Sequence, residues 1–244
     1  MFGGAGKCEI DTTGGSGPFT ANYTTDATLA GHTIYRPLNV TSQKLPVLIW
    51  NNGACLAAGN MFANFLNELS SHGLCRASDA TKAIDWVLNN PAARKYGNLD
   101  TTKLVMAGQS CGGLEAYSAS YMDSRVKMTV LFNSGIIDGS KKLMLKELKA
   151  PVAFFLGGKG DIATPNGGSD YDVLNLPTLL ATTDIGHLGS YYQKYGGKMG
   201  KIAVDFFKWQ LKGDQALKSE FCKPSAADSL GKDGWAIKSK NGIC

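Results

Sequence analysis

The run Ala107-Gly108-Gln109-Ser110-Cys111-Gly112-Gly113 constrains this chain more than any other stretch. It follows the apolar residues Leu104-Val105-Met106 and precedes a helix-like segment, residues 114–121. A Gly-x-Ser-x-Gly run between a buried strand and a helix demands a sharp bend with the serine at its apex. Such a bend holds the serine backbone in a strained conformation, and its flanking glycines permit close packing around it. It also aims the next backbone N–H, that of Cys111, at the point where negative charge develops if the serine attacks a carbonyl. Ser110 is therefore a candidate nucleophile.

Length and composition suit a single large α/β domain spanning 1–244, with a core over about 18–213 and a C-terminal tail over 214–244. Hydrophobic residues make up 43% of the chain, enough for a packed core, and charged residues only 18%. The net charge of +5 comes from scattered lysines rather than a basic run interleaved with aromatics, so nucleic acid is not an expected partner. No run approaches the length of a membrane span. Oligomeric state cannot be read from the residues.

Six cysteines (Cys8, Cys55, Cys75, Cys111, Cys222, Cys244) accompany two glycosylation acceptor triplets, Asn22-Tyr23-Thr24 and Asn39-Val40-Thr41. Together these lean towards a secreted glycoprotein, with a cytosolic protein carrying chance triplets as the alternative. The start Met1-Phe2-Gly3-Gly4 does not read as a signal peptide.

Residues 19–25 and 33–36 read as two edge strands joined by a turn over 26–31. Residues 46–50 form a continuous apolar run, as in a strand covered on both faces. Helices are expected over 60–71 and over 79–96, the second capped by Ser78 or Asp79 and ended or kinked at Pro91. Strands follow over 104–107, 127–133, 152–156 and 178–182. A short helix or loop covers 141–149, a long helix 200–211 and a possible short helix 216–221. Strands alternating with helices give a mostly parallel sheet, with chemistry at the carboxyl ends of its strands.

Two further side chains follow strand ends: Asp161 after the strand at 152–156, and His187 after the strand at 178–182. A serine hydroxyl is a poor nucleophile at neutral pH. It needs an imidazole to take its proton and a carboxylate to hold that imidazole in one tautomer. Of the three histidines, His32 lies at an edge strand and His72 ends a helix, which leaves His187 as the base. Asp170, Asp172 and Asp184 are alternatives to Asp161. The second oxyanion donor besides Cys111 is expected from Ala54, with Gly53 or Cys55 as near choices. Gly53, Cys55 and Gln109 are expected to border the substrate.

The Gly-Gln-Ser-Cys-Gly-Gly run, the Asn-Gly-Ala-Cys loop at 52–55, Asp161 and His187 together resemble the α/β-hydrolase superfamily. The order Ser, Asp, His is that family's order. The nearest branch is the small, largely lidless one of dienelactone hydrolases, chlorophyllases, platelet-activating-factor acetylhydrolases and cutinase-like polyester hydrolases, in particular secreted fungal members. The resemblance covers about residues 18–213. It implies a three-layer α/β fold and a serine carboxylic-ester hydrolase that forms an acyl-enzyme on small or polymeric esters, with no metal or organic cofactor. The alternatives are a peptidase or lactonase on the same triad, and a non-catalytic or weakened secreted binding protein on a hydrolase scaffold.

One departure from the family pattern stands out. A central strand and the loop after it are expected between residues 72 and 79, yet the chain offers only Leu74-Cys75-Arg76-Ala77-Ser78. The fourth strand is therefore expected to be shortened to about four residues or absent. Cys55 and Cys111 would border the oxyanion position, either as a disulfide or as two small buried thiols. Cys222 and Cys244 are placed to staple the tail.

Overall fold

A computed structural model describes residues 11–39, 42–78, 80–121 and 123–244. Cys8, the Val40 and Thr41 of the second acceptor triplet, and the candidate cap Asp79 lie outside the described residues.

Strands β1 (Ala21–Thr24) and β2 (Ile34–Pro37) form an antiparallel edge. The central strands are β3 (Lys44–Asn51), β4 (Cys75–Ser78), β5 (Asn98–Gln109), β6 (Met128–Phe132), β7 (Val152–Leu156) and β8 (Thr178–Thr182). These six run parallel in the order β4-β3-β5-β6-β7-β8, and β9 (Ala236–Lys240) pairs antiparallel to β8 at the far edge.

Side-chain alternation along the strands splits the core into two layers. Leu48, Trp50, Val105, Phe132 and Phe155 face α1 (Ala63–Ser71) and α5 (Gly197–Lys212). On the other face, Val47, Ile49, Leu104 and Met106 pack on α2 (Ala80–Asn89), while Leu131, Phe154 and Leu156 meet Tyr171 of α4 (Thr164–Val173). Tyr117, from the helix that follows β5, joins that second group. The result is a three-layer α/β fold with a mostly parallel sheet.

The fourth strand is present but short. Its four residues pair along β3 from Val47↔Cys75 to Trp50↔Ser78, and it meets β2 at the single pair Tyr35↔Arg76. Pairing on both sides closes the sheet across the shortened segment. Only residue 79 separates β4 from α2.

Elsewhere the structure differs from the sequence expectation at identifiable places. The helix expected over 79–96 stops at Asn89, because Pro91 lacks an N–H and Asn90 caps a separate 3-10 turn, Pro91–Tyr96, through its side chain to the Ala92 amide. Strand β5 begins at Asn98, well before its apolar half. Opposite Pro46 its register shifts, and Asp100 folds back on Thr102. Helix α4 carries Gly167 and Gly168 and no apolar stripe. It is held instead by the fully buried Asp170, which accepts from the Ile136 amide at 2.7 Å and pairs with Lys142 at 2.9 Å. The expected tail also contributes to the sheet, since β9 lies within it and Cys222 and Cys244 form a disulfide.

Before β1, residues 11–19 lie along α1. Glu68 receives hydrogen bonds from the amide and hydroxyl of Ser16 at 2.7 and 2.6 Å, and its other close partner is His72 Nε2 at 3.1 Å. Burial alone would push this carboxyl up, but the bonds from His72 and Ser16 outweigh it and hold the group below its ordinary value. A depressed carboxyl contributes stability that is complete above its unfolded-state pKa and is lost as pH falls through the folded-state value. Glu68→Gln is expected to cost about 1–3 kcal/mol near neutral pH. The deficit should shrink in acid, which urea midpoints at about pH 7 and about pH 3 would read. An unchanged deficit at both would remove Glu68 from the acid response.

Candidate active site

Because the six central strands are parallel, their carboxyl ends share one edge of the sheet. The loops that leave β3, β5, β6, β7 and β8 all emerge there, and between them they supply the site.

Ser110 caps α3 (Cys111–Ser120) at φ 53° and ψ −119°. A non-glycine residue in the left-handed half of the map is strained, and two surroundings fix it there. The Ser110 amide donates to Phe132 O at 3.0 Å, and its carbonyl accepts from Ser134 Oγ at 2.7 Å. The glycines beside it are required by close approach. A Cβ on Gly108 would lie 2.1 Å from Gly112 O, and one on Gly112 would lie 2.1 Å from Asn51 O.

His187 Nε2 lies 2.9 Å from Ser110 Oγ, and its Nδ1 lies 2.6 Å from Asp161 Oδ1. A carboxylate only accepts, so Nδ1 carries the proton and Nε2 is free to accept from the serine. Asp161 is 3% exposed. Burial raises its carboxyl, but the bonds from His187, from the amides of Gly157 and Ala163 and from the Asn133 side chain outweigh that and hold it below the usual range. The competing carboxylates are engaged elsewhere or exposed. Asp170 anchors α4, Asp184 accepts from the Lys159 amide at 2.9 Å, and Asp172 is exposed. The other histidines stand apart, His32 on Ala30 O and His72 on Glu68.

Two residues that sequence reasoning missed complete the network. Asn133 sits at φ 46°, fully buried, just past β6. It donates to Asp161 Oδ2 at 2.8 Å and to Gly186 O at 3.2 Å, and its own carbonyl oxygen accepts from the buried hydroxyl of Tyr191. Burial and the neighbouring Asp161 charge push the Tyr191 phenol well above its ordinary value, which keeps it a donor. The signal for Asn133 was its place at a strand end beside the other two. Tyr191 carried none.

The loop after β3 is more than a turn. Asn52 donates to Leu56 O and Ala58 O at 3.1 and 2.8 Å and accepts from Trp50 Nε1 at 3.0 Å. It shapes a 3-10 turn, Gly53–Cys55, in which Ala54 and Cys55 both take positive φ, at 53° and 51°. A disulfide links Cys55 to Cys111, the first residue of α3, with Cα atoms 5.3 Å apart. The Cys111 amide is at a helix start, where no carbonyl of the same helix lies a turn earlier to receive it.

Gln109, expected at the substrate, is buried and instead donates from Nε2 to His187 O at 3.0 Å, which steadies the histidine loop. Gly53, also expected there, is buried against Gln109, whose Oε1 lies 2.0 Å from where a Cβ would be. Cys55 is exposed. Among the described residues no group of three His, Cys, Asp or Glu could hold a metal ion, and no helix is long and apolar enough to cross a membrane.

No protein-family model matches the chain, and none of the curated proteins is similar to it in sequence.

Proposed function

We propose that this chain is a serine carboxylic-ester hydrolase of the α/β-hydrolase type, working through an acyl-enzyme. The carrying observation is the unbroken run of contacts from Ser110 Oγ through His187 to Asp161. In this reading the Ser110 oxygen attacks an ester carbonyl while His187 Nε2 takes its proton. The carbonyl oxygen, now negative, is received by the Cys111 amide together with one from the 53–55 turn. The C–O bond then breaks, and His187 returns its proton to the departing alcohol. A water enters, gives a proton to the same nitrogen and attacks the acyl carbon; the bond to Ser110 Oγ then breaks, His187 returns that proton to Oγ, and the acid leaves. Asp161 stays ionised throughout and stabilises the charged imidazole. Two disulfides, with no membrane-crossing helix among the described residues, support an extracellular setting for this activity.

The experiment is labelling with a fluorophosphonate probe beside hydrolysis of p-nitrophenyl acetate. Stoichiometric labelling at Ser110, with matching loss of hydrolysis, is expected. Folded protein that takes no label and turns over no ester would refute the reading.

A further inference from the structure

In the hydrolase reading the oxyanion is shared by the Cys111 amide and an amide of the Gly53–Cys55 turn. Cys55 and Cys111 are 56 residues apart in the chain. Misplacing a catalytic group by about 1 Å costs on the order of 10²-fold in rate, so the turn must be held firmly against the start of α3.

The root of the turn is fixed by packing. A Cβ on Gly112 would lie 2.1 Å from Asn51 O and 2.6 Å from Asn52 O, and one on Gly53 would lie 2.0 Å from Gln109 Oε1. The tip is held differently. Ala54 and Cys55 are exposed, yet both keep positive φ, at 53° and 51°. That conformation is costly for a residue with a Cβ and persists only where the surroundings impose it. The hydrogen bonds nearby are internal to the loop: the Leu56 amide donates to Gly53 O, and the Asn52 side chain to Leu56 O and Ala58 O. They set the shape of the loop and not its place beside the nucleophile. The bond that sets its place is the disulfide from Cys55 to Cys111, with Cα atoms 5.3 Å apart and Ser110 the next residue in the chain.

We infer that Cys55 and Cys111 are positioning residues of the hydrolase, their disulfide fixing the 53–55 turn at the distance from the Cys111 amide that one oxyanion requires. The inference rests on the hydrolase reading of Ser110. The crosslink leaves from the Cβ of the same residue whose amide receives the oxyanion, so little slack separates bond and donor. Opening the bond leaves the root contacts in place and frees the tip to relax to negative φ, which turns its peptide groups. The loss then falls on the transition state, where the oxyanion exists, and spares the bound ester.

The test compares Cys55→Ser/Cys111→Ser with Cys222→Ser/Cys244→Ser, which removes the other disulfide, on p-nitrophenyl acetate. Active sites are counted by fluorophosphonate titration taken to completion, so that an unfolded fraction is not mistaken for slow chemistry. Breaking the first pair is expected to lower kcat per titrated serine by about 10²-fold, with KM changed far less. Affinity for a trifluoromethyl ketone, whose adduct with Ser110 carries an oxyanion, should fall by a similar factor. Breaking the tail pair should leave both per-site values unchanged. Fewer titratable sites with normal kcat at those that remain would make the bridge a staple of the fold only and overturn the inference. So would a change confined to KM, or equal losses in the two variants. If Cys55→Ser/Cys111→Ser does not fold, the protein lacking the tail pair is treated with dithiothreitol, whose two thiols are oxidised to a cyclic disulfide as Cys55 and Cys111 become thiols. The same fall in kcat, regained on reoxidation, is expected. Unchanged kcat with the two new thiols counted would overturn the inference. A parent protein that neither titrates nor turns over would sink the hydrolase reading itself, and the positioning role with it.

Discussion

Ser110→Ala is expected to lower kcat on p-nitrophenyl acetate by about 10⁶-fold, the scale on which a triad nucleophile is lost, and to leave the fold intact. The size follows from the role proposed for the oxygen: without it no acyl-enzyme could form, and only residual stabilisation of a water reaction would remain. The stability expectation follows from the backbone. Serine already occupies φ 53° without the freedom of glycine, and alanine meets the same steric cost. The contacts that fix the bend, to Phe132 and Ser134, are made by the main chain and survive the change. The measured pair is therefore kcat and the urea midpoint. Adding His187→Ala to the same chain costs little more, because the imidazole acts only through the hydroxyl. Independent, additive losses from the two substitutions would show that serine and histidine do not work as one unit. A Ser110→Ala protein retaining more than about a tenth of the activity would place the chemistry elsewhere.

How much of this arrangement was legible beforehand depended on how local its causes are. Strands β7 and β8 were readable to the residue, because a strand covered on both faces is an apolar run, unbroken in β7 and bounded by the β-branched Thr178 and Thr182 in β8, and nothing outside it is needed to recognise it. Ser110 was legible because the bend imposes glycines at fixed spacing. His187 stood out by elimination among three histidines. The first half of β5, Asn98 to Lys103, is polar apart from Leu99 and becomes strand because β3 lies beside it. Helix α4 has two glycines and no stripe, and its stability comes from a buried carboxylate whose partners, Ile136, Lys142 and Tyr117, lie between 28 and 53 residues away. Strand β9 reads as a charged tail until the edge of β8 is there to receive it. The same limit hid Asn133 and Tyr191. Their role is set by a carboxylate and a carbonyl brought to them by folding, and a strand-end position, the one signal Asn133 carried, does not by itself separate it from a loop residue.

The same distant partners make Asp161→Asn the second large effect. Both oxygens of Asp161 face donors only. Oδ1 accepts from His187 Nδ1 and the Ala163 amide, and Oδ2 from Asn133 Nδ2 and the Gly157 amide. An asparagine has one oxygen, so its NH2 must oppose two of these donors whichever way the amide turns. If the NH2 faces His187, the imidazole is driven to the tautomer with its proton on Nε2, and it can no longer accept from Ser110. If it faces the other way, the buried Gly157 and Asn133 donors lose their partner, and rotation of Asn133 to compensate would take its oxygen from Tyr191. Either orientation also removes the negative charge that stabilises the imidazolium formed during attack. The expected result is a fall in kcat of about 10⁴-fold with KM little changed, and a loss of about 1–3 kcal/mol in unfolding free energy from the unpaired donors. The pH dependence carries a sign that separates this from general damage. The depressed Asp161 carboxyl contributes stability in full above the ordinary carboxylate range and loses it as pH falls through the folded-state value, so the variant's deficit shrinks towards acid. Activity within about tenfold of the parent would mean that the carboxylate does not set the tautomer of His187.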